Sequence, residues 1–195
     1  MRMLTGVSSF IFILIFTISI TVAGQSPPAR DVDKSAANKF THTAFEERIA
    51  LYTSRREELE RELPPLPKRA TAEEIVNHKN ALLKKVLADR KGAVRGNIFT
   101  PAAERMIRAI IVRHYPGRTR MQLKKELSEA ATKGVPMKVN GVYPETAELV
   151  ETPPTLLLVL PQLPDHVRYR FVGTNLLIVD RDSHLIVDYM ANALP

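Results

Sequence analysis

The chain contains no cysteine and no tryptophan, and its 195 residues include only 7 phenylalanines and 5 tyrosines. Without cysteine there are no disulfides, no thiolate metal sites and no thiol nucleophile. The fold must therefore be held by its core, and about 170 residues beyond the N-terminal segment are enough for one. Scarce aromatics imply aliphatic packing. They also leave the basic residues without interleaved stacking platforms for bases, which argues against nucleic acid as a partner. The motifs GxSxG, SxxK and HExxH are missing, as is a glycine-rich phosphate loop. Asp180, Asp182 and Asp188 could form a carboxylate pair in principle, but turn-capping and solvent-face positions account for them. The expectation is a non-enzymatic protein with no cofactor.

What the chain does have begins with an export signature. Arg2 precedes an apolar run over residues 10–23, followed by Ala23, Gly24 and a polar stretch. A charged start, a short apolar run and small residues are the parts of a signal peptide over residues 1–24. Cleavage before Gln25 would place Val22 and Gly24 at the recognition positions, and cleavage after Ala23 is the alternative. A bilayer span needs about 20 apolar residues, so the run is short for an anchor, and an uncleaved anchor is the competing reading. The expected location is periplasmic or extracellular.

Charge is divided along the chain. Residues 25–135 hold 23 basic against 14 acidic groups, hence +9, whereas residues 136–195 hold 4 against 7, hence −3. Between Lys79 and Lys125 there are 13 Lys or Arg, with only Asp89 and Glu104 opposing them. In an exported protein such a block fits anionic lipid head groups or envelope polymers. Lys84, Lys85, Arg105, Arg108, Lys124 and Lys125 are its candidate anion-binding residues. The alternative is that these are ordinary solvated helix faces.

Residues 25–43 lack periodicity and read as a flexible tether. Over residues 44–63, Phe45, Ile49, Tyr52, Leu59 and Leu63 keep a 3-4 spacing broken once by Arg56, which predicts an amphipathic helix stopped by Pro64, Pro65 and Pro67. Thr71 and Glu74 have capping-box spacing and open a second helix with Ile75, Leu82, Leu83, Val86 and Leu87 on its apolar face. Residues 44–95 thus read as a helical arm or hairpin. Thr100 followed by Pro101 starts a third helix, with Ala103, Met106, Ile107, Ile110 and Ile111 inward. Thr119 and Gln122 repeat the capping-box spacing before a fourth helix carrying Leu123, Leu127 and Ala131.

From residue 136 the pattern changes. MKVNGVYP reads as a short strand with an Asn140-Gly141 turn, and TLLLVL as one or two buried helical turns or a buried strand. Three runs, VRYRFV, LLIVD and LIVDY, are parted by GTN and RDS, which predicts an antiparallel meander over residues 165–190. Val167, Tyr169 and Phe171 alternate with Arg168 and Arg170, the signature of a sheet covered on one side. Its edges would be free to pair with a second copy or a partner strand. His42, His78, His114, His166 and His184 are scattered. His166 and His184, at corresponding ends of the meander beside Asp165, Asp180 and Asp182, are the weak candidates for metal ligands.

The C-terminal stretch LPQLPDHVRYRFVGTNLLIVDRDSHLIVDYMANALP is similar to the C-terminal module of a family of exported proteobacterial proteins with the pattern LPxLPxxxxYRFVGxxLxxxDxxxxLIVDxxxxAxP. GNIFTP and VPMKVNGVYPE also resemble parts of those proteins, so the resemblance covers roughly residues 96–195. It implies export and carries no activity. More distantly, some 30 residues of hairpin resemble the RcnB family of periplasmic nickel/cobalt-homeostasis proteins, which implies an accessory role in metal stress. No metal-ligand motif of that family maps onto this chain. The expected fold is α+β, with about four amphipathic helices before a small antiparallel meander, residues 96–195 forming the α+β domain.

Overall fold

The computed structural model describes residues 29–129, 134–144 and 152–194. Its elements run in the order α1 (Ala29–Arg61), α2 (Ala72–Asp89), α3 (Pro101–His114), α4 (Gly117–Glu129), α5 (Pro154–Leu157), β1 (Val167–Val172), β2 (Asn175–Asp180) and β3 (Ile186–Met190). The strands form one antiparallel sheet in the order β1-β2-β3. This is the α+β class expected. The export segment and Ala131 lie outside the described residues. Among the described residues no helix is long and apolar enough to cross a membrane.

α1 begins at Ala29, inside the stretch expected to be a tether. Its predicted seam is real: Phe45, Ile49, Tyr52 and Leu59 are buried and Leu63 packs against them. Burying each such side chain contributes about 1.5–3 kcal/mol. α2 opens on the predicted box, with Glu74 N donating to Thr71 Oγ1 at 3.2 Å and Thr71 N donating to Glu74 Oε2 at 2.7 Å. Leu82 and Val86 are buried, while Ile75 stays 38% exposed. In α3, Thr100 Oγ1 accepts from Ala103 N at 3.2 Å and Pro101 takes the first turn. The Thr119 box does not form, because α4 already starts at Gly117 and Gln122 bonds to Glu126 one turn ahead.

β1 and β2 pair from Val167↔Asp180 to Val172↔Asn175 across Gly173 and Thr174. Gly173 holds φ +55°, a left-handed conformation that favours glycine. The β2–β3 register shifts between Ile178 and Val179, which pair with Asp188 and Ile186. Val187 is left as the extra residue of a bulge. One face of the sheet carries Val167, Tyr169, Phe171, Leu176 and Ile178 and shares a single core with α1, α2, α3, α4 and the α5 turn. The first helix therefore packs on the sheet.

The other face departs from expectation. Val172, Leu177, Val179 and Ile186 are buried there with Val135 and Tyr143, so the sheet is covered on both sides. The cover is the segment around residues 135–143. Asn140, at φ +62° as its Asn-Gly sequence predicts, donates N–H to Ile186 O at 2.9 Å. Ile186 N returns to Gly141 O at 2.8 Å, and Val142 bridges Leu185. The predicted strand thus shrinks to a single bridge, and it occupies part of the β3 edge that was expected to be free. TLLLVL forms the helical turn α5, with Leu156 and Leu160 buried but Leu157 and Leu158 exposed.

Candidate functional site

Arg56 does not break the α1 seam; it belongs to it. It lies one helical turn from both Tyr52 and Leu59, and only 1% of it is exposed. A buried guanidinium needs carboxylates, because desolvation otherwise costs several kcal/mol (about that order per ion). Asp180, fully buried at the end of β2, supplies one: its Oδ2 accepts from Arg56 Nε at 3.1 Å and from the Tyr52 hydroxyl at 2.8 Å. Arg56 Nη1 reaches Glu60 at 2.6 Å, and Nη2 donates to Asp182. Burial opposes the Arg56 charge, yet Asp180, Glu60 and Asp182 together hold its pKa above the usual arginine range. Asp180 Oδ1 accepts from Asp182 N at 3.0 Å and Ser183 N at 2.9 Å, capping the β2–β3 turn. Burial, reinforced by the Asp180 charge and hydrogen bond, pushes the Tyr52 phenol well above its usual range.

Asp188 is the second buried carboxylate of the helix-facing side. It accepts from the backbone N–H groups of Gly96 (3.0 Å), Ile98 (2.8 Å), Phe99 (2.9 Å) and Tyr189 (2.8 Å), which fixes the loop before α3. Arg90 joins the two regions. Its guanidinium lies 5.0 Å from the Tyr52 ring centre and donates to Val187 O at 2.7 Å and Asn140 Oδ1 at 3.1 Å. Turn capping was foreseen for Asp180, but a solvent-face position was wrong for both Asp180 and Asp188. They are structural, and each has its acceptor capacity engaged by named donors. The sequence did contain a signal for this: Asp180 shares strand parity with Leu176 and Ile178, and LLIV is apolar on both faces, as two-sided burial requires.

The six expected anion-binding residues fall into two groups. Lys85 pairs with Glu62 at 2.6 Å, Lys125 approaches Glu129 at 3.8 Å, and Arg108 is tied to Glu104 (2.9 Å), Ala191 O (2.8 Å) and Asn192 O (3.1 Å). These three are committed within the chain to differing degrees, Lys125 least. Lys84, Arg105 and Lys124 are exposed and make no ion pair among the described residues. The sequence reading did not single out Arg113, Arg118 and Arg120 as site residues. They flank the α3–α4 junction, and none of them has an acidic partner among the described residues. At this junction the Tyr115 hydroxyl meets Thr155 Oγ1 at 2.5 Å, bringing α5 alongside. The neighbouring apolar side chains are conspicuous, Met121 being 65% and Leu158 80% exposed.

The histidines are not brought together as proposed. His166 lies 3.2 Å from Glu57 and shares a cleft with Glu60 and His78, whereas His184, at φ +55°, lies by Lys79 and Asp182. Among the described residues no group of three or more His, Asp or Glu could hold a metal ion.

Comparison of the chain with protein-family models, curated proteins and solved structures finds no match.

Proposed function

We propose that the protein is an exported, non-enzymatic accessory protein that docks on anionic envelope lipid through the α3–α4 corner. The observation that carries this reading is the set of cations on α3 and α4 that make no ion pair among the described residues, Arg105, Arg113, Arg118, Arg120 and Lys124, with exposed Met121 and Leu158. Guanidiniums at the surface, here the exposed Arg105, Arg113 and Arg118 and the half-buried Arg120, attract a negatively charged surface when no carboxylate holds them, each adding about 1 kcal/mol near an anionic membrane. Apolar side chains at the same corner can enter the head-group boundary, as interfacial proteins do. α3 is seated on α1 through the shared core, which includes Phe45, Ile49, Met106, Ile107 and Ile111.

The test is sedimentation with vesicles of phosphatidylglycerol and phosphatidylcholine. The chain should pellet with anionic vesicles and not with neutral ones. Arg113→Glu with Arg118→Glu should release it, while Lys85→Glu should have little effect because Lys85 is already paired with Glu62. Equal pelleting of wild type and the double variant would remove the reading.

A further inference from the structure

The outer side of β1 holds a cavity of about 420 Å³, bounded by α5, the 161–163 loop and the start of the strand. That volume lies in the range of small-molecule sites, about 300–1,000 Å³. Arg168 and Arg170 reach the same face because they are two residues apart on β1, opposite Val179 and Leu177. Arg181 joins them from the turn after β2, its Nε held by Val167 O at 3.3 Å. Among the described residues no carboxylate lines the cavity.

Two buried polar atoms at this wall have no hydrogen-bond partner among the described residues. Thr152 is 2% exposed, and its hydroxyl has no hydrogen-bond partner among the described residues; the same holds for Nε of Arg168. A buried polar group left unpaired costs free energy, and a buried donor on a cation costs more. Tyr143 lies within the same electrostatic field: burial pushes its phenol up, while Arg170 and Arg168 pull it down. The opposite wall is apolar, made by Pro154, Leu157, Pro161 and Leu163.

From this juxtaposition of Arg168, Arg181 and the Thr152 hydroxyl with an apolar wall, we infer that the cavity binds a small organic oxyanion, a carboxylate or phosphate monoester carrying a short apolar tail. The oxyanion accepts from the guanidiniums and from Thr152, and the tail lies along the prolines and leucines. Guanidinium forks suit either head group. α5 borders both this cavity and the α3–α4 corner, but none of the five corner cations lines the cavity, and the inference does not rest on the lipid reading.

Titration calorimetry on the full chain tests this with octanoate, phenyl phosphate, inorganic phosphate and neutral octanol. A charged head with a tail should bind saturably, and inorganic phosphate and octanol at least tenfold more weakly. Octanoate and phenyl phosphate distinguish the two head groups, and saturable binding of either supports the site. Loss of one charged hydrogen bond corresponds to roughly a 10- to 100-fold weakening, expected for Arg168→Gln and for the exposed Arg181→Gln. Thr152→Val should weaken binding less. Arg113→Glu with Arg118→Glu should leave it unchanged, so failure of this site and failure of the lipid reading are distinguishable. Circular dichroism confirms that each variant is folded, and Arg181→Gln decides the matter if Arg168→Gln is not. No saturable binding of either tailed anion at millimolar concentration would overturn the inference. So would octanol binding as tightly as octanoate, or undiminished affinity in the folded arginine variants.

Discussion

Replacing Arg56 by methionine removes the positive charge from the centre of the α1 seam while keeping most of its volume. Asp180 then remains fully buried, with the Tyr52 hydroxyl at 2.8 Å and the N–H groups of Asp182 and Ser183 at 3.0 and 2.9 Å, but without a counter-charge. Removing one partner of a buried ion pair costs about 3–5 kcal/mol, a large share of a typical domain stability of about 5–15 kcal/mol. Asp180→Asn should cost less, because Arg56 keeps Glu60 and Asp182, whose side chains are 35% and 41% exposed. The double variant Arg56→Met/Asp180→Asn removes both buried charges. Its asparagine Oδ1 still accepts from the turn N–H groups, and Glu60 and Asp182 can turn to water. It should therefore be more stable than Arg56→Met alone, despite carrying one more substitution. Urea unfolding at neutral pH, followed by circular dichroism, measures all four proteins. If the double variant is no more stable than Arg56→Met, or if the two single costs add within about 0.5 kcal/mol, the charges are not coupled and the reasoning fails.

Burial raises the Tyr52 phenol above its unfolded value near 10, and Tyr143 and Tyr169 are raised by burial as well. Their stabilising contribution is complete below about pH 10 and is lost as pH rises from there, because only the unfolded state ionises readily. Tyr52→Phe should lose about 1–3 kcal/mol with the hydrogen bond to Asp180 and show a shallower alkaline decline of urea midpoint than the wild type. Asp188→Asn removes the charge that gathers four backbone N–H groups, at a cost of about 2–4 kcal/mol. Hydrogen exchange at Ile98 and Phe99 should accelerate in that variant and be unaltered in α2. In Gly141→Ala the new Cβ would sit 3.0 Å from Lys138 O and from the Pro136 ring. The resulting crowding should cost about 1–3 kcal/mol in thermal unfolding.

Much of the helical layer was legible because its determinants are local. The 3-4 spacing of Phe45, Ile49, Tyr52 and Leu59, the Thr71–Glu74 box and the Thr100–Pro101 start all act within a turn or two of chain. The meander was legible for the same reason, since alternation and turn residues fix its strands. Arg56 was not, because its meaning depends on an aspartate 124 residues away. A charge in an apolar seam looks like an interruption until its partner is placed. The outer face of the sheet failed similarly: Arg168 and Arg170 look like solvent residues along VRYRFV, and among the described residues it is the fold-back of residues 135–143 that covers that side. Among the anion-binding candidates, sequence density could not separate Lys85 and Arg108, which are committed to carboxylates and carbonyls, from cations that make no ion pair among the described residues.

The most direct measurement is the salt dependence of binding to phosphatidylglycerol vesicles, for the wild type and for Arg113→Glu/Arg118→Glu. Docking through unpaired cations predicts affinity that falls steeply with salt, with the logarithmic slope reduced by about one for each cation removed. Binding that is independent of salt, or a slope unchanged in the double variant, would contradict docking through the α3–α4 corner.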